Sequence, residues 1–219
     1  MKDTCIIGYG VVGRATASVF GIDKYVDLKD STITLEEAAK CKYIFLCLPT
    51  PVKEGKYDIT AITETIQKLK ECNCSGILIN RSTVLPGTNR ELQEKFELPI
   101  VANPEFLTEK TAEYDAKHPD FVVIGADESG YGKDIKAVYE ARFKGVTIIE
   151  TDTITAEAIK IVLNSFFAMK VVFANEIHEM CQKQGINYGQ VKEAIEKHKF
   201  GSKNHFDIWH NGGRGAGGK

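Results

Sequence analysis

The chain has 219 residues, 43% of them hydrophobic, and a formal net charge of −2 with acids and bases interspersed. That supplies apolar material for one full domain plus an appendage, and it excludes a strongly basic nucleic-acid binder or a protein drawn to anionic membranes. The six cysteines sit mostly in apolar stretches and read as reduced thiols of a cytoplasmic protein, while Cys72-Asn73-Cys74 lacks the second Cys/His cluster that a zinc site needs, so no metal is expected.

At the start of the chain, Thr4 to Ile7 is a short apolar run that predicts a buried strand, and it leads into Gly8-Tyr9-Gly10-Val11-Val12-Gly13. No basic, apolar leader precedes it, and no apolar run in the sequence reaches the ~18 residues a membrane span needs. In such a loop the first glycine permits a tight turn, the second lets a diphosphate approach the backbone, and the third lets the next helix pack on the strand. The helix is predicted to start near Val11, with its unpaired N–H groups facing the phosphates. A second short strand over Tyr25 to Asp27 ends in an acid nineteen residues after Gly8, the position from which a carboxylate accepts hydrogen bonds from ribose hydroxyls. An acid there repels a 2′-phosphate and favours NAD over NADP, an inference that Lys24 and Lys29 nearby weaken.

Further strands are predicted near Tyr43 to Leu48, Gly76 to Asn80, Ile100 to Ala102, Phe121 to Ile124 and Thr147 to Ile149, with helices such as Ile59 to Lys70 and Gly87 to Phe96 between them. This alternation predicts an α/β fold, a Rossmann-like, doubly wound, mostly parallel sheet covered on both faces. In open sheets of that kind ligands bind at the carboxyl ends of the strands. Leu48-Pro49-Thr50-Pro51, Asn80-Arg81-Ser82-Thr83 and Asn103-Pro104-Glu105-Phe106-Leu107 follow three successive strands, so hydroxyls and carboxylates converge on one crevice.

After Glu150 the rhythm changes. Thr153 to Gln184 reads as one long helix without Gly or Pro, and Tyr188 to Lys197 as a shorter one, so residues 1–150 form the nucleotide-binding domain and 151–219 a long helix with a small helical appendage. The long helix is apolar almost all round, which predicts burial against its own domain and against a second subunit. Within it Glu157, Lys160 and Asn164 share one face, either as partners for a substrate or, for the first two, as an ordinary surface pair.

Taken in order, Gly8 to Gly13, Leu48 to Pro51, Ser82-Thr83-Val84-Leu85-Pro86-Gly87-Thr88, Asn103 to Leu107, Glu157 to Asn164, Asn175-Glu176 and Gly212 to Gly218 resemble the nucleotide-sugar dehydrogenase family, over nearly the whole chain. The resemblance implies an NAD-dependent, two-step oxidation of a sugar C6 alcohol to a carboxylate through an intermediate held on a cysteine. UDP-glucose leads as substrate, giving UDP-glucuronate, with UDP-N-acetylmannosamine and GDP-mannose behind it. The resemblance further implies that NAD lies along Gly8, Tyr9, Gly10, Val11, Val12, Gly13, Asp27, Leu48, Pro49, Thr50, Thr83 and Glu109. Thr83 and Glu109 would hold a catalytic water, Lys160 would stabilise an oxyanion, and Asn164 would orient the water or the substrate. Glu105, Phe106, Leu107, Gly213, Arg214, Gly215 and Gly217 would contact the sugar nucleotide, and a homodimer would form through the long helix.

Family members continue past the glycine-rich loop to the nucleophilic cysteine and a second nucleotide-binding domain, and none of the six cysteines here stands at that motif position. The chain as given is therefore expected to bind NAD without completing the four-electron oxidation. Phe121 also stands where the family usually has an arginine. A non-catalytic NAD-binding or oligomerisation module is the alternative of a different class. The 6-phosphogluconate and hydroxyacyl dehydrogenases are the alternative for reaction type.

Overall fold

The structure, a computed structural model, describes residues 3–198 together with 209–210 and 213–214. The chain divides into two compact units, Met1–Lys160 and Ile161–Lys219.

The first unit is built on a seven-stranded sheet. Its strands are β1 (Thr4–Ile7), β2 (Tyr25–Val26), β3 (Tyr43–Leu46), β6 (Ile77–Asn80), β7 (Ile100–Ala102), β8 (Phe121–Gly125) and β9 (Thr147–Thr151), in the order β2-β1-β3-β6-β7-β8-β9. The missing numbers, β4 (Val52–Lys53) and β5 (Lys56–Tyr57), form a separate antiparallel hairpin. Pairing is parallel throughout except between β7 and β8, which meet antiparallel at Ala102 and Gly125. The order reverses at β1, whose two neighbours are β2 and β3, so a crevice opens at the carboxyl ends of β1 and β3.

Seven helices punctuate this unit in chain order: α1 (Val11–Phe20), α2 (Leu35–Ala38), α3 (Thr60–Glu71), α4 (Thr88–Phe96), α5 (Ala112–Lys117), α6 (Ser129–Arg142) and the first two turns of α7 (Thr153–Gln184). Both sheet faces are apolar because the central strands alternate between two cores. Cys5, Ile7, Ile44, Leu46 and Leu78 pack with Ile62, Ile66, Leu69, Leu92 and Phe96 of α3 and α4. Ile6, Phe45, Ile79 and Val101 pack on the other side with Ala17, Ile135 and Tyr139 of α1 and α6.

The second unit contains the rest of α7, α8 (Tyr188–Lys197) and the hairpin of β10 (Trp209–His210) with β11 (Gly213–Arg214). The 32-residue α7 ends at Gly185, whose φ of 66° is in the left-handed region that glycine tolerates. Val171, Ala174 and Cys181 are buried, whereas Val162, Phe166, Met169, Val172, Phe173 and Met180 are exposed in the single chain. In the single chain, then, α7 carries both buried and exposed apolar residues. No helix among the described residues is long and apolar enough to cross a membrane.

Candidate active site

The cofactor side of the crevice begins at β1. Gly8 has φ of 93°, and a Cβ on it would lie 2.3 Å from the Cys47 carbonyl oxygen; a Cβ on Gly13 would lie 2.1 Å from the Gly8 carbonyl oxygen. These two glycines therefore allow the turn and the contact between α1 and the loop. Gly10 differs, because a Cβ there meets nothing within 4 Å. Gly10 is the N-cap of α1, with no side chain capping it and no acid in the first turn. The result is a helix terminus without a side-chain cap and with open space beside Gly10, an arrangement that fits the diphosphate of a dinucleotide.

Asp27, one residue past β2, receives the Tyr9 backbone N–H at 2.6 Å and that of Lys29 at 3.2 Å. The Tyr9 N–H is the largest of the influences holding its carboxyl below the ordinary aspartate range, so it is an anion at neutral pH. Tyr9 also stacks on Tyr25 at 3.7 Å between ring centroids and an interplanar angle of 7°. The acid and the glycine loop are thereby tied together.

Across the crevice, the loop after β3 is fixed to the loop after β6. The Leu48 N–H donates to the Ser82 hydroxyl at 2.9 Å, and the Thr50 hydroxyl donates to the Thr83 carbonyl at 2.7 Å. Leu48, Pro49, Thr50 and Thr83 therefore line one wall, with Thr83 half-buried. Beneath them Arg81 is buried and donates to Asn103 Oδ1 at 2.6 Å and to the Tyr139 hydroxyl at 2.7 Å. The Asn103 amide in turn donates to the Val123 carbonyl, so the start of the Asn103 to Leu107 segment is held from two sides.

Lys160 is buried on α7. Its Nζ donates to the Glu105 carbonyl at 2.5 Å and pairs with Glu105 Oε1 at 2.9 Å, with side-chain exposures of 6% and 14%. The Phe106 ring lies 5.4 Å from the same ammonium. Phe106 packs in turn on Phe121 at 4.8 Å, so Phe121 makes an aromatic contact where the family usually has an arginine. Glu157, one turn earlier, takes partners of its own. It is buried, and its carboxylate accepts the backbone N–H groups of Gly87 at 2.5 Å and Asn89 at 2.7 Å, which cap the start of α4. The surface-pair reading of Glu157 and Lys160 is therefore incorrect, because both side chains are buried and each has partners more than 50 residues away in sequence.

The acid that meets Lys160 is Glu105, whereas Glu109 is exposed at the start of a 3-10 turn, Glu109–Thr111. Leu107 is half-buried, its N–H donating to Glu105 Oε2 at 2.7 Å. Asn164 is half-buried and belongs to the second unit. Gly213 and Arg214 form β11, while Gly215 and Gly217 lie outside the described residues. Sequence reasoning missed Arg81, Asn89, Asn103 and Tyr139 as a supporting layer. Buried Asn and Arg at strand ends were its available signal.

The UDP-glucose/GDP-mannose dehydrogenase family, NAD binding domain, matches residues 22–143, and the central domain of the same family matches residues 154–219. The chain belongs to this family. It carries the family's NAD binding domain, and the Gly8 to Gly13 loop lies ahead of the matched stretch. A UDP-glucose 6-dehydrogenase from Rickettsia conorii is 32% identical over 175 residues, 77% of this chain and 40% of that protein. One from Bacillus subtilis is 31% identical over 171 residues, 74% of this chain and 38% of that protein. The chain thus spans about two fifths of the length of these curated relatives. Among solved structures, a UDP-glucose dehydrogenase from the archaeon Pyrobaculum islandicum superposes with a TM-score of 0.82 at 23% identity, over 93% of this chain and 58% of that one. A GDP-mannose dehydrogenase from Pseudomonas aeruginosa gives 0.79 at 23%, over 94% and 59%. These likenesses establish the fold, and the family's mostly parallel, Rossmann-like sheet is the one described above.

Proposed function

We propose that this nucleotide-sugar dehydrogenase acts on UDP-glucose, oxidising its C6 alcohol towards UDP-glucuronate with NAD. The observation that carries this reading is the buried Lys160–Glu105 pair, with Glu105 in the segment that follows β7 at the carboxyl end of the sheet. Bound NAD would supply the hydride acceptor, one molecule for each of the two two-electron oxidations. An alcohol carbon releases hydride only as its proton is removed, so a base must stand at the hydroxyl. Glu105 supplies a carboxylate in a sheltered position, and the Lys160 ammonium, already aimed at the Glu105 oxygens, stabilises negative charge developing on the substrate oxygen. Thr83, just past the end of β6, holds the water that a carboxylate-forming step requires. In this assignment Glu105 takes the acid's role and Glu109, at the surface, contacts cofactor or solvent.

Asp27 supports NAD over NADP, since its carboxylate opposes a 2′-phosphate. UDP-glucose is favoured over GDP-mannose or UDP-N-acetylmannosamine because relatives at 31–32% identity bear that substrate in their names. We further propose that residues 1–150 act as the cofactor domain and that a second copy covers the apolar face of α7 in a homodimer, the exposed Val162, Phe166 and Met169 being its core.

The test is turnover on the three sugar nucleotides, measured on the protein as its native cells make it, with and without Lys160→Ala. The expected outcome is highest kcat/KM for UDP-glucose, and a loss of orders of magnitude in Lys160→Ala with NAD affinity retained. Undiminished turnover in Lys160→Ala overturns the reading.

A further inference from the structure

A run of four hydrogen bonds crosses the interior of the first unit. The Leu48 N–H donates to the Ser82 hydroxyl at 2.9 Å, and the Ser82 N–H donates to Asn80 Oδ1 at 3.0 Å. The Asn80 amide then donates to Asn89 Oδ1 at 2.7 Å, and the Asn89 N–H donates to Glu157 Oε1 at 2.7 Å. Three of its five members are almost fully enclosed, Asn80 and Asn89 at 2% and Glu157 at 3% exposure. One end of the run is the cofactor-side loop after β3, and the other lies on α7 one turn before Lys160.

Burying two amides and a carboxylate is costly unless each is satisfied, and a fold needing only stability would fill this space with apolar side chains. The Arg90–Asp127–Thr153 cluster already fastens α4 to the start of α7. Arg90 is bidentate to Asp127 at 2.8 and 2.9 Å, and Asp127 accepts the Thr153 N–H and hydroxyl at 3.1 and 2.9 Å. The inner run is therefore a second fastening between α4 and α7, alongside that cluster. What it adds is a link between the two halves of the crevice.

We propose that Asn80, Asn89 and Glu157 are positioning residues, a buried polar strut that fixes the Leu48–Thr50 cofactor wall relative to the Lys160-bearing turn of α7. The strut sets the width of the crevice, so breaking it at either end loosens the wall and weakens cofactor binding. Because its members act in series, breaking it at two points costs little more than breaking it at one. This inference rests on the NAD site assigned above.

The experiment is a double-mutant cycle on NAD affinity, read by calorimetry on the whole 219-residue chain. Wild-type binding is measured first, and its absence defeats the site assignment rather than the strut. With binding present, Ser82→Ala and Asn89→Ala are each expected to weaken NAD by about tenfold, within the range typical of coupled positions. The double variant is expected to be no more than about threefold worse than either single. Ser82→Thr, which keeps the hydroxyl, restores affinity. Arg90→Ala is the control, lowering the melting temperature while leaving NAD affinity unchanged. If Asn89→Ala does not fold, Asn80→Asp, which keeps the acceptor for Ser82 and loses the donor to Asn89, replaces it in the cycle. Additive losses, unchanged affinity in the single variants, or an equal loss in Arg90→Ala overturn the proposal.

Discussion

Gly10 and Gly13 stand three residues apart in one loop, yet the structure assigns their missing side chains to opposite purposes, so alanine at the two positions should separate folding from binding. At Gly13 the new Cβ lies 2.1 Å from the Gly8 carbonyl oxygen, about 1 Å inside ordinary contact, and both groups are backbone. Relief requires α1 to move off β1, and overpacking of that kind costs about 1–3 kcal/mol, a large share of a marginal stability. At Gly10 the Cβ meets nothing, and φ of −75° suits alanine. The entropic gain of about 0.4–1 kcal/mol roughly offsets the poorer N-cap, so stability should change by less than about 0.5 kcal/mol. The methyl would occupy the space in which a diphosphate approaches the α1 N–H groups. Losing one charged hydrogen bond costs about 1.5–3 kcal/mol, or roughly tenfold to a hundredfold in affinity. Denaturant melts and NAD calorimetry on both variants provide the assay. A Gly10→Ala protein that keeps wild-type NAD affinity would refute the assignment of this loop as the diphosphate cradle.

Other expectations follow from the same geometry. Glu157→Ala leaves the Gly87 and Asn89 N–H groups without their acceptor and should lower stability by about 2 kcal/mol in a denaturant melt, whereas a surface Glu-to-Ala change would not register. Asp127, beside Arg90, has its carboxyl held at about 2, below its ordinary 3.8. A depressed acid contributes stability that is present above 3.8 and lost as pH falls through about 2, so the wild type should lose about 1 kcal/mol more than Asp127→Asn between pH 5 and pH 2, water around Arg90 moderating the effect. Phe166→Glu should shift the sedimentation of the protein towards a single chain while leaving NAD affinity unchanged, since Phe166 is an exposed apolar residue on α7. A sedimentation coefficient that does not respond would remove this face from the dimer proposal.

Legibility in the sequence followed the range of the forces involved. The bounds of α7 and α8 were readable because helical periodicity and the glycine that stops α7 act over a few residues. The reversal of β8 was not, because a strand's direction is set by the path of the chain before it and leaves no mark on its own residues. A helix between the β8 and β9 strands was expected, while the bounds of α6 were left open, Gly130 and Gly132 standing in its first turn. The β4–β5 hairpin is too short for period-two alternation, although Glu54-Gly55, both at positive φ, carried its turn signal. At the site, spacing alone placed Glu157 next to Lys160 on one face. It could not show that their partners come from Gly87, Asn89 and Glu105, because a buried side chain bonds whatever the tertiary fold brings to it.

The central claim is that the crevice between β1 and β3 takes NAD through the α1 terminus and Asp27. Titrating the chain with NAD and NADP, in wild type and in Asp27→Ala, tests it most directly. The account predicts one NAD site per chain, NADP weaker by at least about tenfold, and a narrowing of that preference in Asp27→Ala. Equal affinity for the two dinucleotides in the wild type, or a preference untouched by removing Asp27, would contradict it.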